Sequence, residues 1–183
     1  MIAERLKRTC DEMRRRGVDC LVLTSTSDLQ YLISYRGMPM ERPTIFLLTQ
    51  MNAFMVLPAF EMENVGPETK QHVRCVPWEE TENVYAVAAG LVGTKGFKAA
   101  ISDQTPSFVF YNLMDAFPTW SWEIASPIMY PLRSCKDPAE IETLKVANHL
   151  AGKAFLRLLE QGLCGRSWRS ARCYVNIARM RGC

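Results

Sequence analysis

The sequence predicts an α/β domain of three layers, a central mixed β-sheet flanked by helices, with a C-terminal helical extension. Short apolar runs typical of buried strands alternate along the chain with amphipathic segments at helical spacing, which is typical of a sheet covered by helices. Two of these runs, residues 44–48 and 53–57, are separated by a tight turn at residues 50–52. A hairpin is therefore expected, and it makes the sheet mixed rather than purely parallel.

The chain is predicted to begin with a helix and a buried strand. Apolar residues recur there at helical spacing: Ile2, Leu6, Cys10 and Met13. Gly17 stands where a helix C-cap glycine would, and residues 18–23 form an apolar run typical of a buried strand. A short second helix is expected to be capped by Ser27 or Asp28 and to run through Leu32. An irregular loop containing glycine and proline follows.

The middle of the chain continues the alternation. After the hairpin, residues 73–76 and 97–101 are strand candidates, and residues 120–124 resemble a last strand. Thr81 is predicted to cap a helix that carries several apolar residues on one face: Val84, Val87, Ala88 and Leu91. Pro106 fits the first turn of a helix that ends at residue 116.

A domain boundary is predicted near residues 131–137. Asp137, Pro138 and Glu140 form a strong helix start, with a capping box between Asp137 and Glu140 and proline at the first helical position. One face of this helix is predicted to carry Ile141, Leu144, Asn148, Ala151, Phe155 and Leu158. The predicted organisation is a domain at 1–132, a linker at 133–136, a helix at 137–163 and an Arg/Cys-rich tail at 164–183.

Charge and cysteine content exclude several classes of protein. The chain has 22 basic and 19 acidic residues, a net charge of +3. Five arginines and no acidic residue fall in 164–183, so the rest of the chain holds 17 basic against 19 acidic residues and has no basic excess with which to bind nucleic acid. The seven cysteines are odd in number and form no C-x-x-C pair, which favours reduced thiols over a disulfide framework or a structural zinc site.

The sequence predicts no membrane segment and a cytoplasmic protein. Residues 1–16 alternate charged and apolar residues and lack the apolar core of a signal peptide. The most apolar stretch, residues 44–60, is interrupted by polar residues and proline, whereas a membrane helix needs about 20 apolar residues.

Motifs of known chemistry are also missing from the sequence. It contains no G-x-S-x-G, no P-loop and no G-x-G-x-x-G motif, and residues 93–96 are predicted to be a helix-to-strand turn rather than a phosphate site. Neither His72, expected at a solvent-facing edge, nor His149, with no acidic residue four positions away on its helix, is predicted to bind a metal. The acidic clusters at 61–63 and 79–82 are predicted to be solvated or near helix starts.

Three segments together resemble the N-terminal domain of the creatinase, aminopeptidase P and prolidase family. The first spans residues 5–32 and contains Gly17-Val18-Asp19, the strand run and Tyr31-Leu32, although the family usually has Asn near Asp28. The second is the strand pair at 43–57. The third, residues 132–155, is similar to the family's linker into the catalytic domain and matches it at five positions: Arg133, Lys136, Asp137, Glu140 and Ile141.

The resemblance implies what this chain lacks as well as what it has. Family members carry a second, "pita-bread" catalytic domain in which two Asp, one His and two Glu hold two metal ions that activate water against an Xaa-Pro peptide bond. Those ligands are absent from this sequence, so no cofactor is expected in the chain itself. A dinuclear Mn, Co or Zn site is expected only in a catalytic domain missing here, and the chain alone is expected to be inactive.

The same resemblance points to partners and to a substrate rim. The family's N-terminal domain serves dimer assembly and lends residues to the rim of an active site, which implies a homodimer or a partner chain with the catalytic domain, and proline-containing peptides as ligands. Tyr35, Arg36 and Arg42 lie in the matching loop and are the candidate substrate-binding residues. An arginine can clamp a carboxylate and a tyrosine can pack on a proline ring. A surface loop that contacts only water, a free-standing interaction module and a nucleic-acid binder using the arginine tail stay open as alternatives.

Overall fold

The structure of the protein is a computed structural model that describes residues 1–37, 41–93 and 95–160. It divides into two compact units, residues 1–134 and residues 135–183.

Six strands in the described part of the first unit form one sheet. Its order is β4-β3-β2-β1-β5-β6. The strands are β1 (Cys20–Leu23), β2 (Ile45–Thr49), β3 (Ala53–Pro58), β4 (Arg74–Trp78), β5 (Lys98–Ile101) and β6 (Ser121–Ile124). Strand β2 is antiparallel to both of its neighbours, whereas the other pairs are parallel. The predicted mixed sheet and the hairpin with its turn after Thr49 are confirmed.

Helices cover both faces of this sheet. They are α1 (Ile2–Arg16), α2 (Ser27–Ile33), α3 (Pro67–His72), α4 (Val84–Val92), α5 (Ser107–Ala116) and α6 (Ser126–Ser134), with a 3-10 helix at Ala59–Asn64. Buried residues of α1, α2 and α6 share one apolar cluster with one face of the sheet, and those of α4 and α5 share a second cluster with the other face. The three-layer architecture predicted from the sequence is confirmed.

Strand β1 shows why the central strands are continuous apolar runs in the sequence. Leu21 and Leu23 belong to the cluster under α1, α2 and α6, whereas Cys20 and Val22 belong to the cluster under α4 and α5. Successive side chains of a strand point to opposite faces. Because both faces are covered, every residue of β1 is fully buried and the run is apolar throughout.

The end of α1 follows the predicted chemistry, whereas the starts of two helices, α4 and α2, and the position of Pro106 at α5 depart from it. Gly17 ends α1 in the left-handed conformation at φ 66°, as predicted. Helix α4 is capped by Asn83 rather than Thr81: the Asn83 side chain accepts hydrogen bonds from two backbone N–H groups at 2.9 and 3.2 Å. Thr26, one residue before the predicted positions, precedes α2, and Pro106 precedes α5 instead of lying in its first turn.

Three short elements were not predicted: the 3-10 helix, α3 and α6. Helix α6 contains Pro131 and runs to Ser134, so the first two residues of the predicted linker, Arg133 and Ser134, are helical. His72 is the last residue of α3 and is exposed, in keeping with the solvent-facing position expected for it.

The described part of the second unit is helix α7 (Pro138–Glu160). The predicted capping box is confirmed: the N–H of Glu140 donates to Asp137 Oδ1 at 2.8 Å, and the N–H of Asp137 donates to Glu140 Oε2 at 3.0 Å. The apolar residues Ile141, Leu144 and Phe155 are exposed. The Leu158 side chain, the predicted end of this helix at residue 163 and the tail at 164–183 lie outside the described residues.

No helix in the described ranges is both long enough and apolar enough to cross a membrane.

Candidate functional site

Tyr35, the first predicted site residue, lies beneath the loop that follows α2. Helix α2 is followed by Ser34, a non-glycine residue in the left-handed conformation at φ 57°, which turns the chain sharply. The Tyr35 side chain is then buried, with 3% of the residue exposed. Its hydroxyl donates to Glu61 Oε2 at 3.1 Å. The loop is thereby attached to the 3-10 helix at Ala59–Asn64.

The surroundings of Tyr35 keep its hydroxyl protonated. Burial is the main cause that raises the pKa of Tyr35 to about 12, and the Glu61 carboxylate raises it further, while a hydrogen bond with Thr44 acts in the opposite direction. A protonated phenol can donate to a carboxylate, whereas a phenolate cannot. The same Glu61 oxygen also accepts from Asn64 Nδ2 at 3.0 Å, so Glu61 is held from both sides.

Gly37 is required by close packing in this loop. A Cβ atom at Gly37 would lie 2.6 Å from Ser25 Oγ and 2.7 Å from Tyr35 Cε1. The Tyr35 ring is buried and cannot move away freely. Any side chain at position 37 would therefore displace Tyr35 or Ser25.

Arg42 is held at the surface by two groups that the sequence did not point to. Its guanidinium lies over the ring of Phe60, 5.6 Å from the centroid, and forms an ion pair with Glu80. The Arg42 side chain is 43% exposed and the Phe60 ring is also exposed. Cation–π contact and ion pair together restrict the guanidinium while leaving part of it accessible to a ligand.

The structure brings two of the three predicted site residues to one element. Tyr35 contacts Glu61 and Arg42 contacts Phe60, and these two partners are consecutive in the 3-10 helix. Arg36 is exposed on the same loop, and within the described ranges no hydrogen bond or ion pair joins it to Tyr35 or Arg42.

Sequence reasoning missed Phe60, Glu61 and Glu80 as parts of this site. Glu61 and Glu80 were expected only in solvated acidic clusters. Each reaches its partner from a distant segment: Glu61 is 26 residues from Tyr35. Periodicity and motif spacing report on neighbours in the chain, so they carry no signal for such pairs.

A second polar network joins α2, α6 and the residue after β5, and it involves a residue of the family's linker motif. Arg133 Nη1 donates to Asp28 Oδ1 at 2.6 Å, and Ser102 Oγ donates to Asp28 Oδ2 at 3.2 Å. The Tyr31 hydroxyl donates to the Leu132 carbonyl at 2.9 Å. These bonds attach the end of α6 to α2, so the motif residues Tyr31 and Arg133 serve the packing of the domain.

The described residues do not offer a set of ligands for a pair of metal ions. Within the described ranges no group of three or more His, Cys, Asp or Glu side chains comes together. His149 has Lys145 and Lys153 four residues away on either side of it along α7. Residues four apart share a helix face, so both ammonium groups would oppose a cation there.

The chemistry this surface supports is anion binding. An exposed guanidinium held over an aromatic ring can donate two parallel hydrogen bonds to a carboxylate. The Glu80 partner is itself 69% exposed, and exposed ion pairs contribute only about 0–1 kcal/mol. A carboxylate ligand can therefore compete with Glu80 for Arg42.

Comparison with known proteins places the chain in a family. Residues 5–135 match the family model described as the Creatinase/Prolidase N-terminal domain. The chain is 27% identical over 154 residues to the "Probable dipeptidase PepE" of Mycobacterium tuberculosis, an alignment that covers 82% of this chain and 41% of that protein.

Solved structures share the fold. A recombinant prolidase from Thermococcus sibiricus superposes with a TM-score of 0.84 at 24% identity, covering 97% of this chain and 49% of that one. The N-terminal domain of the Xaa-Pro dipeptidase from Lactobacillus brevis superposes with a TM-score of 0.61 at 18% identity, covering 72% of this chain and 99% of that one. The chain thus spans less than half the length of its curated relatives. Since the matched family model extends over well more than half of the sequence, this chain belongs to the creatinase/prolidase N-terminal domain family.

Proposed function

We propose that this chain acts as the non-catalytic N-terminal domain of an Xaa-Pro dipeptidase-like protein. In this role it supports subunit assembly and supplies part of the rim of a substrate site that a catalytic domain completes. Two observations support the proposal. The matched family is that of the N-terminal domain, and the relatives bearing dipeptidase and prolidase names are about twice as long as this chain. The catalytic domain would lie in the part of those relatives that this chain does not match.

The metal chemistry of such a protein is proposed to belong to that catalytic domain. A dinuclear site of Mn, Co or Zn requires converging carboxylates and a neutral imidazole. The surroundings of His149 do not fit this requirement because Lys145 and Lys153 flank it on the helix. No step of the reaction is therefore assigned to residues of this chain.

Arg42 is the residue on which the rim proposal rests. A dipeptide ending in proline presents a terminal carboxylate, and Arg42 presents a guanidinium already held over Phe60. Because the guanidinium is restrained before binding, less side-chain entropy is lost on contact. Arg36, exposed on the same loop, is proposed to add a second positive charge.

Tyr35 has a different proposed role from its two neighbours. Its ring is buried, so it is proposed to position the rim rather than to pack on a proline ring. The hydrogen bond from the Tyr35 hydroxyl to Glu61 restrains the 3-10 helix that carries Phe60, and the Phe60 ring contacts the Arg42 guanidinium. Tyr35 would then affect ligand binding only through Arg42.

The experiment is an NMR titration of the full chain with the dipeptide Ala-Pro, comparing the unmodified protein, Arg42→Ala and Arg74→Ala. Arg74 is an exposed arginine on β4 and serves as the matched control. A hydrogen bond to a charged group contributes about 1.5–3 kcal/mol, so Arg42→Ala is expected to weaken binding at least about tenfold while Arg74→Ala leaves it unchanged.

A second ligand tests which part of the dipeptide is recognised. Ala-Pro-amide lacks the terminal carboxylate. It is expected to bind the unmodified protein as weakly as Ala-Pro binds the Arg42→Ala variant. Equal binding of the two ligands, or full binding by Arg42→Ala, would show that Arg42 is not a carboxylate site.

A further inference from the structure

Strand β6 is an edge of the sheet whose outer side is available in the described part of the chain. It pairs in parallel with β5 on one side, and no described strand pairs with the other side. The N–H groups of Ser121 and Ala125 donate to the carbonyls of Phe97 and Ile101 at 2.9 and 2.8 Å. Backbone groups alternate in direction along a strand, so those of Trp122 and Ile124 point away from β5.

The opposite edge of the sheet is protected. Strand β4 contains Pro77, which has no N–H to donate and which in sheets is confined to edges with that side facing solvent. Proline is one of the devices that stop an edge strand from pairing further. Strand β6 has no proline among its four residues. The two edges therefore differ in their capacity to bind another strand.

Apolar side chains lie beside the β6 edge. Phe110 of α5 packs edge-to-face on Trp122, with ring centroids 5.5 Å apart, so this side of α5 adjoins the edge. Met114 follows Phe110 by four residues and therefore lies on the same side of the helix. Met114 is 41% and Ile124 is 59% exposed. Together these residues, Phe110, Met114, Trp122 and Ile124, form what we call the β6–α5 edge.

A second copy of the chain suits this edge because antiparallel pairing about a twofold axis is self-complementary. The two registers centred nearest the middle of the strand place the axis at Trp122 or at Glu123. An axis at Glu123 would place Glu123 opposite its own copy, and like charges directly opposite are destabilising. An axis at Trp122 places Ser121 opposite Glu123 of the second copy, so a hydroxyl donor meets each carboxylate. Glu123 keeps its ion pair with Lys98 at 2.8 Å.

We propose that the β6–α5 edge is a homodimer interface in which β6 pairs antiparallel with β6 of a second copy, about an axis at Trp122. The Trp122 backbone groups exchange two hydrogen bonds with their copies. Each Ile124 N–H donates to the Trp120 carbonyl of the other copy, and the apolar side chains beside the strand close over the pair. This inference rests on the assembly role in the proposed function and gives that role a surface.

The test is sedimentation of the full chain over a range of concentrations, comparing the unmodified protein with Ile124→Lys and Met51→Lys. Ile124 is exposed, so the lysine does not disturb the core, and an edge lysine opposes strand pairing. Met51, 87% exposed in the hairpin turn, is the matched control. We expect a dimer whose dissociation constant rises at least tenfold in Ile124→Lys and is unchanged in Met51→Lys.

Amide hydrogen exchange on the unmodified chain gives an independent readout. The amides of Trp122 and Ile124 are expected to exchange more slowly as protein concentration rises. A dimer that survives Ile124→Lys would overturn this interface and leave the assembly role standing. Protection that does not depend on concentration would show that the chain's own residues cover the edge. A monomer at every concentration, with fast exchange at both amides, would overturn the interface and the assembly role together.

Discussion

Replacing Arg133 by alanine is expected to destabilise the first unit more than any surface arginine would. Arg133 and Ser102 both donate to the Asp28 carboxylate, and Asp28 is 8% exposed. Loss of the guanidinium removes the positive partner of a buried carboxylate, to which the Ser102 hydroxyl still donates. It also releases the end of α6 from α2, where the Tyr31 bond to Leu132 remains.

The expected magnitude lies between two limits. Breaking a fully buried pair costs about 3–5 kcal/mol, whereas exposed pairs contribute about 0–1 kcal/mol. The Asp28 side chain is 12% exposed but that of Arg133 is 39% exposed, so solvent screens part of the interaction. We expect Arg133→Ala to lower the free energy of unfolding by about 2 kcal/mol. At a slope of about 2 kcal/mol per molar urea, the unfolding midpoint falls by about 1 M.

The assay is urea unfolding followed by tryptophan fluorescence, in a double-mutant cycle with Asp28→Asn. The neutral amide keeps the shape of Asp28 and an acceptor for Ser102. Arg133→Ala is therefore expected to cost less than about 1 kcal/mol in the Asp28→Asn background, which gives a coupling energy above about 1 kcal/mol. A coupling near zero, with the same cost in both backgrounds, would refute the charge-pair explanation.

Three further predictions concern the loop after α2 and the start of α4. Gly37→Ala is expected to lower the free energy of unfolding by about 1–3 kcal/mol, because the added Cβ collides with Tyr35 and Ser25. Gly90 has open space around it, so Gly90→Ala is the control and is expected to be neutral or stabilising in the same urea assay. Asn83→Ala is expected to cost about 1 kcal/mol as a lost cap; a larger loss in Thr81→Ala would contradict the assignment. Burial raises the pKa of Tyr35 to about 12, above the ordinary value of 10, so the folded state retains a proton that the unfolded state loses. The contribution of the Tyr35 hydroxyl to the free energy of unfolding is complete below pH 10 and is lost as the pH rises towards 12. Absorbance titrations of the folded unmodified protein and of folded Tyr35→Phe are compared to isolate this phenol. A phenol that titrates near pH 10 and is absent from Tyr35→Phe would contradict the prediction.

Local chemistry made much of the fold predictable. The Gly17 cap, the hairpin after Thr49 and the Asp137–Glu140 capping box each depend on residues within a few positions of one another. The central strands of the sheet were predictable from the sequence because burial on both faces makes such strands continuously apolar, as in β1.

The missed helices had misleading or weak local signals. Helix α3 has six residues, too few for a helical period to show, although Pro67 stands at its first position. Helix α6 contains Pro131, which has no N–H to donate to a helical hydrogen bond, so the sequence predicts that a helix ends there. Burial of Ile128, Met129 and Leu132 offsets that loss, and this contribution comes from tertiary packing.

The candidate site was predictable only in part. The loop holding Tyr35, Arg36 and Arg42 followed from the family resemblance, and these residues remain predicted ligand contacts. What fixes their geometry comes from elsewhere: Phe60, Glu61 and Glu80 reach the loop through the fold. In the fold, Tyr35 is a buried hydrogen-bond donor and Arg42 is accessible. Residue spacing in the sequence does not predict this difference.

The proposal that this chain, a member of the creatinase/prolidase N-terminal domain family, has no peptidase activity of its own can be tested by direct assay. The purified chain is incubated with Xaa-Pro dipeptides and tripeptides and added Mn²⁺, Co²⁺ or Zn²⁺, and bound metal is measured on the same sample. We expect no turnover and no stoichiometric metal. Metal-dependent hydrolysis that is lost when His149 or His72 is replaced would contradict the proposal.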